Sequence, residues 1–177
     1  VVIIDLGLHL DKYIALTQDA EIETKISADE LIASGAGPNI NLLKDWKNMV
    51  KAIIPSHGHL DHVGAIPFLL EKFPQVPVIC TGFTKEIIVN TIKDEGIKAD
   101  NKIVGINTNS RYQLTENLSI EFIHVTHSIP QSAIIVVHTP KGCVVYTNDF
   151  KFDNTPIIGQ KPNYARLKEL GKKGEVK

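Results

Sequence analysis

The sequence predicts one domain of the α/β or α+β class, with a mixed sheet and helices outside it. In the first hundred residues, β-branched runs such as VVIID and VKAIIP alternate with amphipathic segments, whereas strand runs outnumber helices in the second half. The chain has 177 residues, of which 43% are hydrophobic and 22% charged. A chain of this size and composition folds around a single core.

The predicted elements of the first half alternate between strands and helices. Ser27 and Glu30 have the spacing of a capping box, which begins a short helix. Pro55 ends the second strand because proline cannot donate to a strand ladder. The predicted order is strand 1–5, helix 27–35, strand 50–55, helix 61–73, strand 77–80 and helix 83–96.

The second half is predicted to consist mainly of strands. The segment SIEFIHV carries apolar residues on both faces, which is typical of a buried strand. The residues TPKG join the runs AIIVVH and CVVYT into a β-hairpin. The predicted order is strands 102–106, 111–114, 119–125, 133–138 and 143–147, then a helix from 164.

Composition excludes several classes of protein. The 19 basic and 20 acidic residues give a net charge of −1, so a nucleic-acid partner has to be argued from a site. The longest apolar runs are far shorter than the roughly 18 residues of a membrane span. The N-terminal segment has no basic leader, which favours a cytoplasmic protein. Cys80 and Cys143 lie in apolar runs and are predicted to be buried thiols rather than metal ligands.

The segment PSHGHLDHVGAIP, at 55–67, indicates a metal site. It places His57, His59, Asp61 and His62 within six residues at the end of a strand. Imidazoles and carboxylates are costly to bury unpaired, so packing alone does not explain this cluster. His57 and His59 project the same way from an extended chain and could share one metal, while the other two could face a second metal. Two metals activate a bridging water, so the implied reaction class is hydrolysis.

Further ligands are expected at other strand ends, where ligands collect in layered α/β proteins. His127 follows the strand 119–125, and Asp149 follows the run CVVYT, where its carboxylate could bridge two metals. Spacing alone leaves open whether these two residues are ligands.

The other histidines and nearby acids receive structural interpretations. His9, His124 and His138 are expected to be ordinary packing or surface residues. Asp5 either orients a ligand histidine or caps a turn. Asp153 could support a metal ligand from outside the site or lie at the surface, and the surface is the favoured interpretation.

The motif H-x-H-x-D-H, formed here by residues 57–62, resembles the signature of the metallo-β-lactamase superfamily. The segments DLGLHLD at 5–11, THSIP at 126–130 and TNDFKFDNTPIIG at 147–159 make the chain similar to the ribonuclease J family of the β-CASP branch, above all to its archaeal members. The resemblance extends through nearly the whole chain, and DFKFD with its RLKELG continuation is its most specific part.

The resemblance implies a four-layer αββα fold and 5′-to-3′ hydrolysis of RNA by a hydroxide that bridges two zinc ions. His57, His59 and His127 would hold one zinc, Asp61 and His62 the other, and Asp149 would bridge them. Asp61 would also be catalytic, because it would orient the attacking hydroxide. Mn²⁺ could also occupy such a site, but the number of imidazoles favours zinc. Asn148 stands where many relatives have glycine, a difference that does not touch ligation.

The resemblance also implies that residues 1–177 are the N-terminal portion of a metallo-β-lactamase domain. A β-CASP insert and the remaining C-terminal portion, with a last histidine ligand, would lie outside this chain. We therefore expect weak or no activity from the chain alone. We expect RNA as the partner and no association with a membrane. The full-length protein could form a homodimer.

Three alternatives remain open. The first is a β-CASP endoribonuclease of the cleavage-and-polyadenylation type, and the second is a small-molecule metallo-hydrolase of the same fold that acts on a thioester or lactone. The third is a metal-free scaffold, against which the intact ligand motif weighs.

Overall fold

The computed structural model describes residues 1–19, 25–174 and 176–177. These residues form two four-stranded sheets, one wholly parallel in the order β1-β2-β3-β4 and one wholly antiparallel in the order β5-β6-β7-β8. The strands are β1 (Ile3–Ile4), β2 (Ile53–Ile54), β3 (Val78–Thr81), β4 (Ile103–Ile106), β5 (Ser110–Thr115), β6 (Leu118–His124), β7 (Ala133–Thr139) and β8 (Gly142–Tyr146). The α/β class is confirmed, but the single mixed sheet is wrong. Parallel and antiparallel pairing lie in separate sheets, because helices connect the strands of the first and short turns connect those of the second.

The helices differ from the prediction in two places. They are α1 (Leu10–Asp19), α2 (Ala28–Ala33), α3 (Leu60–Val63), α4 (Ile66–Leu69), α5 (Gly82–Asp94) and α6 (Tyr164–Lys173). The helix predicted over 61–73 is divided into α3, α4 and a 3₁₀ turn, with Pro67 in the first turn of α4, where its missing N–H is tolerated. The helix α1 was not predicted, because Leu10 and Ile14 are exposed and its apolar pattern is weak.

Strand alternation divides the molecule into four layers. Ile53 and Val78 face the helices that cover the first sheet, whereas Ile54 and Ile79 face the second sheet. The inner face of the second sheet packs against Ile54 and Ile79 with four buried side chains: Ile120, Phe122, Ala133 and Ile135. Its outer face packs against α6 through Leu170. The order helix, sheet, sheet, helix is the predicted αββα arrangement.

The two cysteines are buried as predicted, and burial raises the pKa of the Cys80 thiol to about 12. Among the described residues, no helix has the length and apolar character needed to cross a membrane.

A buried ion pair attaches α6 to the second sheet. The Arg166 guanidinium donates to both carboxylate oxygens of Glu121 on β6, at 2.6 and 3.0 Å. His138 Nε2 on β7 lies 2.7 Å from Glu121 Oε2. Burial opposes ionisation of Glu121, but these hydrogen bonds outweigh it and lower the pKa of the carboxyl.

We expect Glu121→Gln to lower the free energy of unfolding by about 2 kcal/mol at pH 7, because Arg166 loses a charged acceptor. The pKa of Glu121 is lower in the folded state, so its contribution is present at neutral pH and is lost as pH falls below the ordinary value of 4.5. Urea unfolding across this pH range should show the difference between the two proteins narrowing in acid. Glu116→Gln, at an exposed position of the β5–β6 turn, is the matched control. Equal destabilisation by both substitutions would contradict the prediction.

Candidate metal centre

The side chains that the sequence predicts as metal ligands lie at one edge of the two sheets. His57 and His59 follow β2, and Asp61 and His62 lie in α3. His127 follows β6, and Asp149 follows β8. The carboxyl ends of parallel strands meet at one edge of a sheet, so β2 delivers its histidines to the edge where β1 and β3 also end.

Three imidazoles converge on one point. His59 Nδ1 lies 3.1 Å from His57 Nε2 and 3.1 Å from His127 Nε2. Tetrahedral zinc with Zn–N bonds of 2.0–2.1 Å would separate its ligands by about 3.3 Å, close to these distances. The geometry therefore fits a single metal ion among these three side chains.

A second group lies beside the first. His62, Asp149 and His57 each place a ligand atom within 4.8 Å of the others. Asp149 Oδ2 is 3.5 Å from His62 Nε2 and 4.0 Å from His127 Nε2, so this carboxylate approaches a histidine of each group. Asp61 belongs to neither group, although its Oδ2 lies 3.9 Å from His62 Nε2. Its side chain is 57% exposed.

The environment keeps two of the imidazoles neutral. Burial, followed by the neighbouring histidines, lowers the pKa of His57 to about 4. Burial also lowers the pKa of His127. A metal ligand must offer a free lone pair, so neutral imidazoles are the form that binds metal.

Asp5 orients His62. Asp5 Oδ2 accepts hydrogen bonds from Ser56 Oγ at 2.9 Å and Tyr146 Oη at 2.9 Å, and lies 2.8 Å from His62 Nδ1. Asp5 Oδ1 accepts from the backbone N–H of Ser56 at 2.7 Å. The bond to Asp5 raises the pKa of His62 and fixes its proton on Nδ1, which directs Nε2 towards Asp149. Of the two roles that the sequence left open for Asp5, the structure supports the orientation of a histidine.

Sequence reasoning missed Ser56 and Tyr146 as partners of Asp5. Burial and the nearby Asp5 carboxylate raise the pKa of Tyr146, so its hydroxyl remains a donor. Tyr146 is 141 residues from Asp5 in sequence, and no local pattern marks such a contact.

Close packing holds residues 5–8, which follow β1, against α3. A Cβ on Gly7 would lie 1.6 Å from the backbone oxygen of Asp61, so only glycine allows this approach. The backbone N–H groups of Leu6 and Leu8 donate to the carbonyls of His62 and Leu60, at 2.8 and 2.9 Å. The DLG segment thus places Asp5 next to His62.

A backbone bridge brings His127 and Asp149 together. Thr126 and Lys151 pair in antiparallel fashion, with the Lys151 N–H donating to the Thr126 carbonyl at 2.8 Å. Asn148 has a φ of 51°, a left-handed conformation that asparagine tolerates and glycine adopts freely. This turn directly precedes Asp149 in the sequence.

The remaining histidines lie outside both groups. His9 is exposed, His124 Nε2 lies 2.9 Å from the Gln160 carbonyl oxygen, and His138 pairs with Glu121. The Asp153 carboxylate accepts from the Thr155 N–H and lies 3.3 Å from Lys151 Nζ. These placements agree with the structural interpretations given to them.

Two groups of side chains that could each hold a metal ion lie at the strand ends of an αββα fold, and this arrangement is typical of a class of metal-binding proteins. The chain belongs to the metallo-beta-lactamase superfamily, whose family model matches residues 1–169.

Two named proteins are similar to this chain over nearly its whole length. The chain is 42% identical over 175 residues to the protein named Ribonuclease J of Methanocaldococcus jannaschii, and the match covers 98% of this chain and 38% of that protein. It is 45% identical over 175 residues to Ribonuclease J of Pyrococcus abyssi, with the same coverage of 98% and 38%. The resemblance inferred from the sequence is thereby confirmed, and the chain spans about two fifths of the length of these relatives.

A solved structure supports the fold. A protein of unknown function from Enterococcus faecalis V583 superposes with a TM-score of 0.58 at 20% identity, covering 85% of this chain and 38% of that one.

Proposed function

We propose that this chain is the metal-binding part of a ribonuclease that hydrolyses RNA phosphodiester bonds in the 5′-to-3′ direction. The observation that carries the proposal is the convergence of His57, His59 and His127 at 3.1 Å, next to Asp149. The similarity to proteins named Ribonuclease J supports RNA as the substrate.

The donor set fits two zinc ions. His57, His59 and His127 would hold one ion, Asp61 and His62 the other, and Asp149 both. Nitrogen-rich sites of this kind suit zinc, and manganese is the second choice for a mixed nitrogen and oxygen set. Once bound, the two ions would activate a water and offset the negative charge that develops on the phosphate.

The protein's own groups would orient the reaction. The exposed Asp61 carboxylate would accept a hydrogen bond from the attacking water and hold it in line with the scissile bond. Asp5 would keep the Nε2 atom of His62 directed inwards. The hydroxyl of the buried Ser56, 3.0 Å from Nδ1 of His57, would likewise keep the Nε2 atom of His57 directed inwards.

We further propose that the chain is the N-terminal portion of a catalytic domain split by a β-CASP insert. Its match to 38% of each archaeal relative supports this division. The missing ligands and RNA contacts would come from the other portions, so the 177-residue chain alone would be weak or inactive.

The test uses RNA that carries a 5′-monophosphate and a label on its 5′ nucleotide. The full-length protein, its Asp61→Ala variant and the 177-residue chain are compared at equal concentration with zinc or manganese. We expect labelled mononucleotides from the unmutated full-length protein only.

Each other outcome contradicts a definite part of the proposal. Internal fragments would indicate an endonuclease, and intact RNA with hydrolysis of a thioester or lactone would indicate a small-molecule hydrolase. Robust RNA cleavage by the 177-residue chain would disprove the split-domain interpretation.

A further inference from the structure

A cavity of about 430 Å³ lies at the end of the second sheet that is remote from the candidate metal centre. The strand β7 connects the two places. It begins at Ala133, whose N–H donates to the Ser56 carbonyl next to His57 at 3.2 Å, and it ends at Thr139 in the cavity wall. A strand of this length spans about 20 Å. The cavity is therefore separate from the metal centre.

The lining of this cavity is rich in cations. Arg111 on β5, Lys141 in the β7–β8 turn and Lys177 all contribute to it. Among the described residues that line it, none is acidic and Pro140 is the only hydrophobic one. The whole chain has 19 basic and 20 acidic residues, so the cavity is a local excess of positive charge.

Carboxylates of the described residues leave these cations without a partner. The ion pairs formed by other lysines and by Arg166 do not extend to Arg111, Lys141 or Lys177 in the part of the chain that the structure describes. Glu121 lies on the same face of the sheet, but Arg166 holds both of its oxygens, at 2.6 and 3.0 Å. The positive charge is thus open to an anion from solution.

The guanidinium of Arg111 is fixed by the sheet. Its Nε donates to Oγ of the buried Ser119 at 2.6 Å, which leaves the terminal N–H groups for a ligand. Ser119 lies opposite His138 in the register of β6 and β7. His138 Nε2 lies 2.7 Å from Glu121 Oε2, so this ring is also held in place as part of the wall.

The two lysines extend from backbone that is fixed as well. The Thr139 hydroxyl accepts from the Lys141 N–H at 3.2 Å and donates to the Gly142 carbonyl at 2.7 Å, which closes the β7–β8 turn. The Lys177 N–H donates to the Cys143 carbonyl on β8 at 2.9 Å. A frame that is ordered before a ligand arrives lowers the cost of binding.

We propose that this cavity is a binding site for a phosphate group. A phosphate carries its negative charge on several oxygens, so it meets a guanidinium and two ammonium groups at the same time. The two terminal nitrogens of Arg111 form the planar fork that matches two phosphate oxygens. A metal cation would be repelled by the same lining, and an apolar ligand would find only Pro140.

Two sources carry this chemical group: free inorganic phosphate, and the backbone of an RNA strand that crosses the protein away from the metal centre. The inference goes beyond the proposed ribonuclease function and does not depend on it.

The experiment measures the rate at which an acetylating reagent modifies Lys141 in the full-length protein, by mass spectrometry of its peptides. The probes are inorganic phosphate and a short 2′-O-methyl RNA, and acetate and chloride at equal ionic strength are the controls. With phosphate at about ten times its dissociation constant, Lys141 should react about tenfold more slowly, because only the unoccupied site reacts. The exposed Lys44, outside the cavity, should react at an unchanged rate.

The two probes distinguish the sources of the phosphate. Protection of Lys141 at a lower concentration of RNA than of inorganic phosphate would support the site and identify an RNA backbone. The reverse order would support the site and identify free phosphate.

Arg111→Gln tests the guanidinium and retains a side chain that can still donate to Ser119. We expect this variant to need about tenfold more phosphate for half-protection of Lys141, because a charge-assisted hydrogen bond is lost. Lys98→Gln removes a positive charge at another exposed position and should leave the protection unchanged. Both variants should keep the zinc content of the unmutated protein, since the cavity is remote from the metal centre.

Three results would overturn the inference: no protection of Lys141 by either probe, equal protection by acetate, or unchanged half-protection in Arg111→Gln. Acetylation of Lys141 is measured without any hydrolysis of RNA. A failure of the ribonuclease proposal would therefore leave these results as they are.

Discussion

Asp149→Ala is expected to reduce RNA hydrolysis by the full-length protein about a thousandfold and to lower its metal content. The Asp149 carboxylate lies 3.5 Å from His62 Nε2 and 4.0 Å from His127 Nε2. Its removal would therefore leave the two groups without the carboxylate ligand that they are proposed to share. A loss of this size corresponds to about 4 kcal/mol of transition-state stabilisation. Steady-state kinetics and the zinc-to-protein ratio, measured by mass spectrometry after gel filtration, provide the test.

Two control variants limit the interpretation of this result. Asp153→Ala removes a carboxylate from the same segment, and His9→Ala removes an exposed histidine, and neither residue belongs to the two groups. Both variants should retain the metal content of the unmutated protein. Unchanged metal in Asp149→Ala would show that the assignment of this residue is wrong, and loss of zinc from His9→Ala would reveal a ligand that we have dismissed.

Local signals in the sequence predicted much of the fold. The capping box of Ser27 and Glu30 is present in both directions, with the Glu30 carboxylate accepting from the Ser27 N–H at 2.9 Å. The TPKG turn joins β7 and β8 as expected. Both signals depend on residues that are close in sequence, so they can be recognised without knowing which distant segments pack together.

The separation into two sheets could not be predicted in the same way. A buried parallel strand such as β3 and a buried antiparallel strand such as β6 are both continuous apolar runs. Their pairing partners are chosen by tertiary packing. The resemblance to a known family supplied this information, whereas hydrophobic periodicity did not.

In the candidate site, as in the fold, residues close in sequence could be predicted and partners from distant segments could not. His57, His59 and His62 are marked by their close spacing in the sequence, and in the structure the His57 ring lies beside the rings of the other two. The partners that orient them come from distant segments, because Asp5 reaches His62 across 57 residues of sequence. Such contacts arise from the register of β1 beside β2 and leave no periodic trace.

Asp5→Asn is expected to weaken zinc binding by about 10- to 100-fold, the usual effect of removing a partner that orients a metal ligand. In the native protein, Ser56 Oγ, His62 Nδ1 and Tyr146 Oη surround Asp5 Oδ2, while the Ser56 N–H meets Oδ1. An amide has a single acceptor oxygen, so whichever way the asparagine turns, its NH₂ group faces a donor. We expect the free energy of unfolding to fall by about 2 kcal/mol as well, since a buried donor loses its acceptor.

Asparagine isolates the effect of the carboxylate from that of the backbone. Asp5 has a φ of 56°, and asparagine tolerates this left-handed conformation as well as aspartate does. Tyr146→Phe is the graded comparison, because it removes one donor, should destabilise the protein by about 1 kcal/mol and leaves the contact between Asp5 and His62 in place. Competition with a zinc chelator at constant pH measures metal affinity, and urea unfolding measures stability. If Asp5→Asn loses stability but binds zinc with full affinity, Asp5 only closes a turn, and His62 is oriented by other contacts.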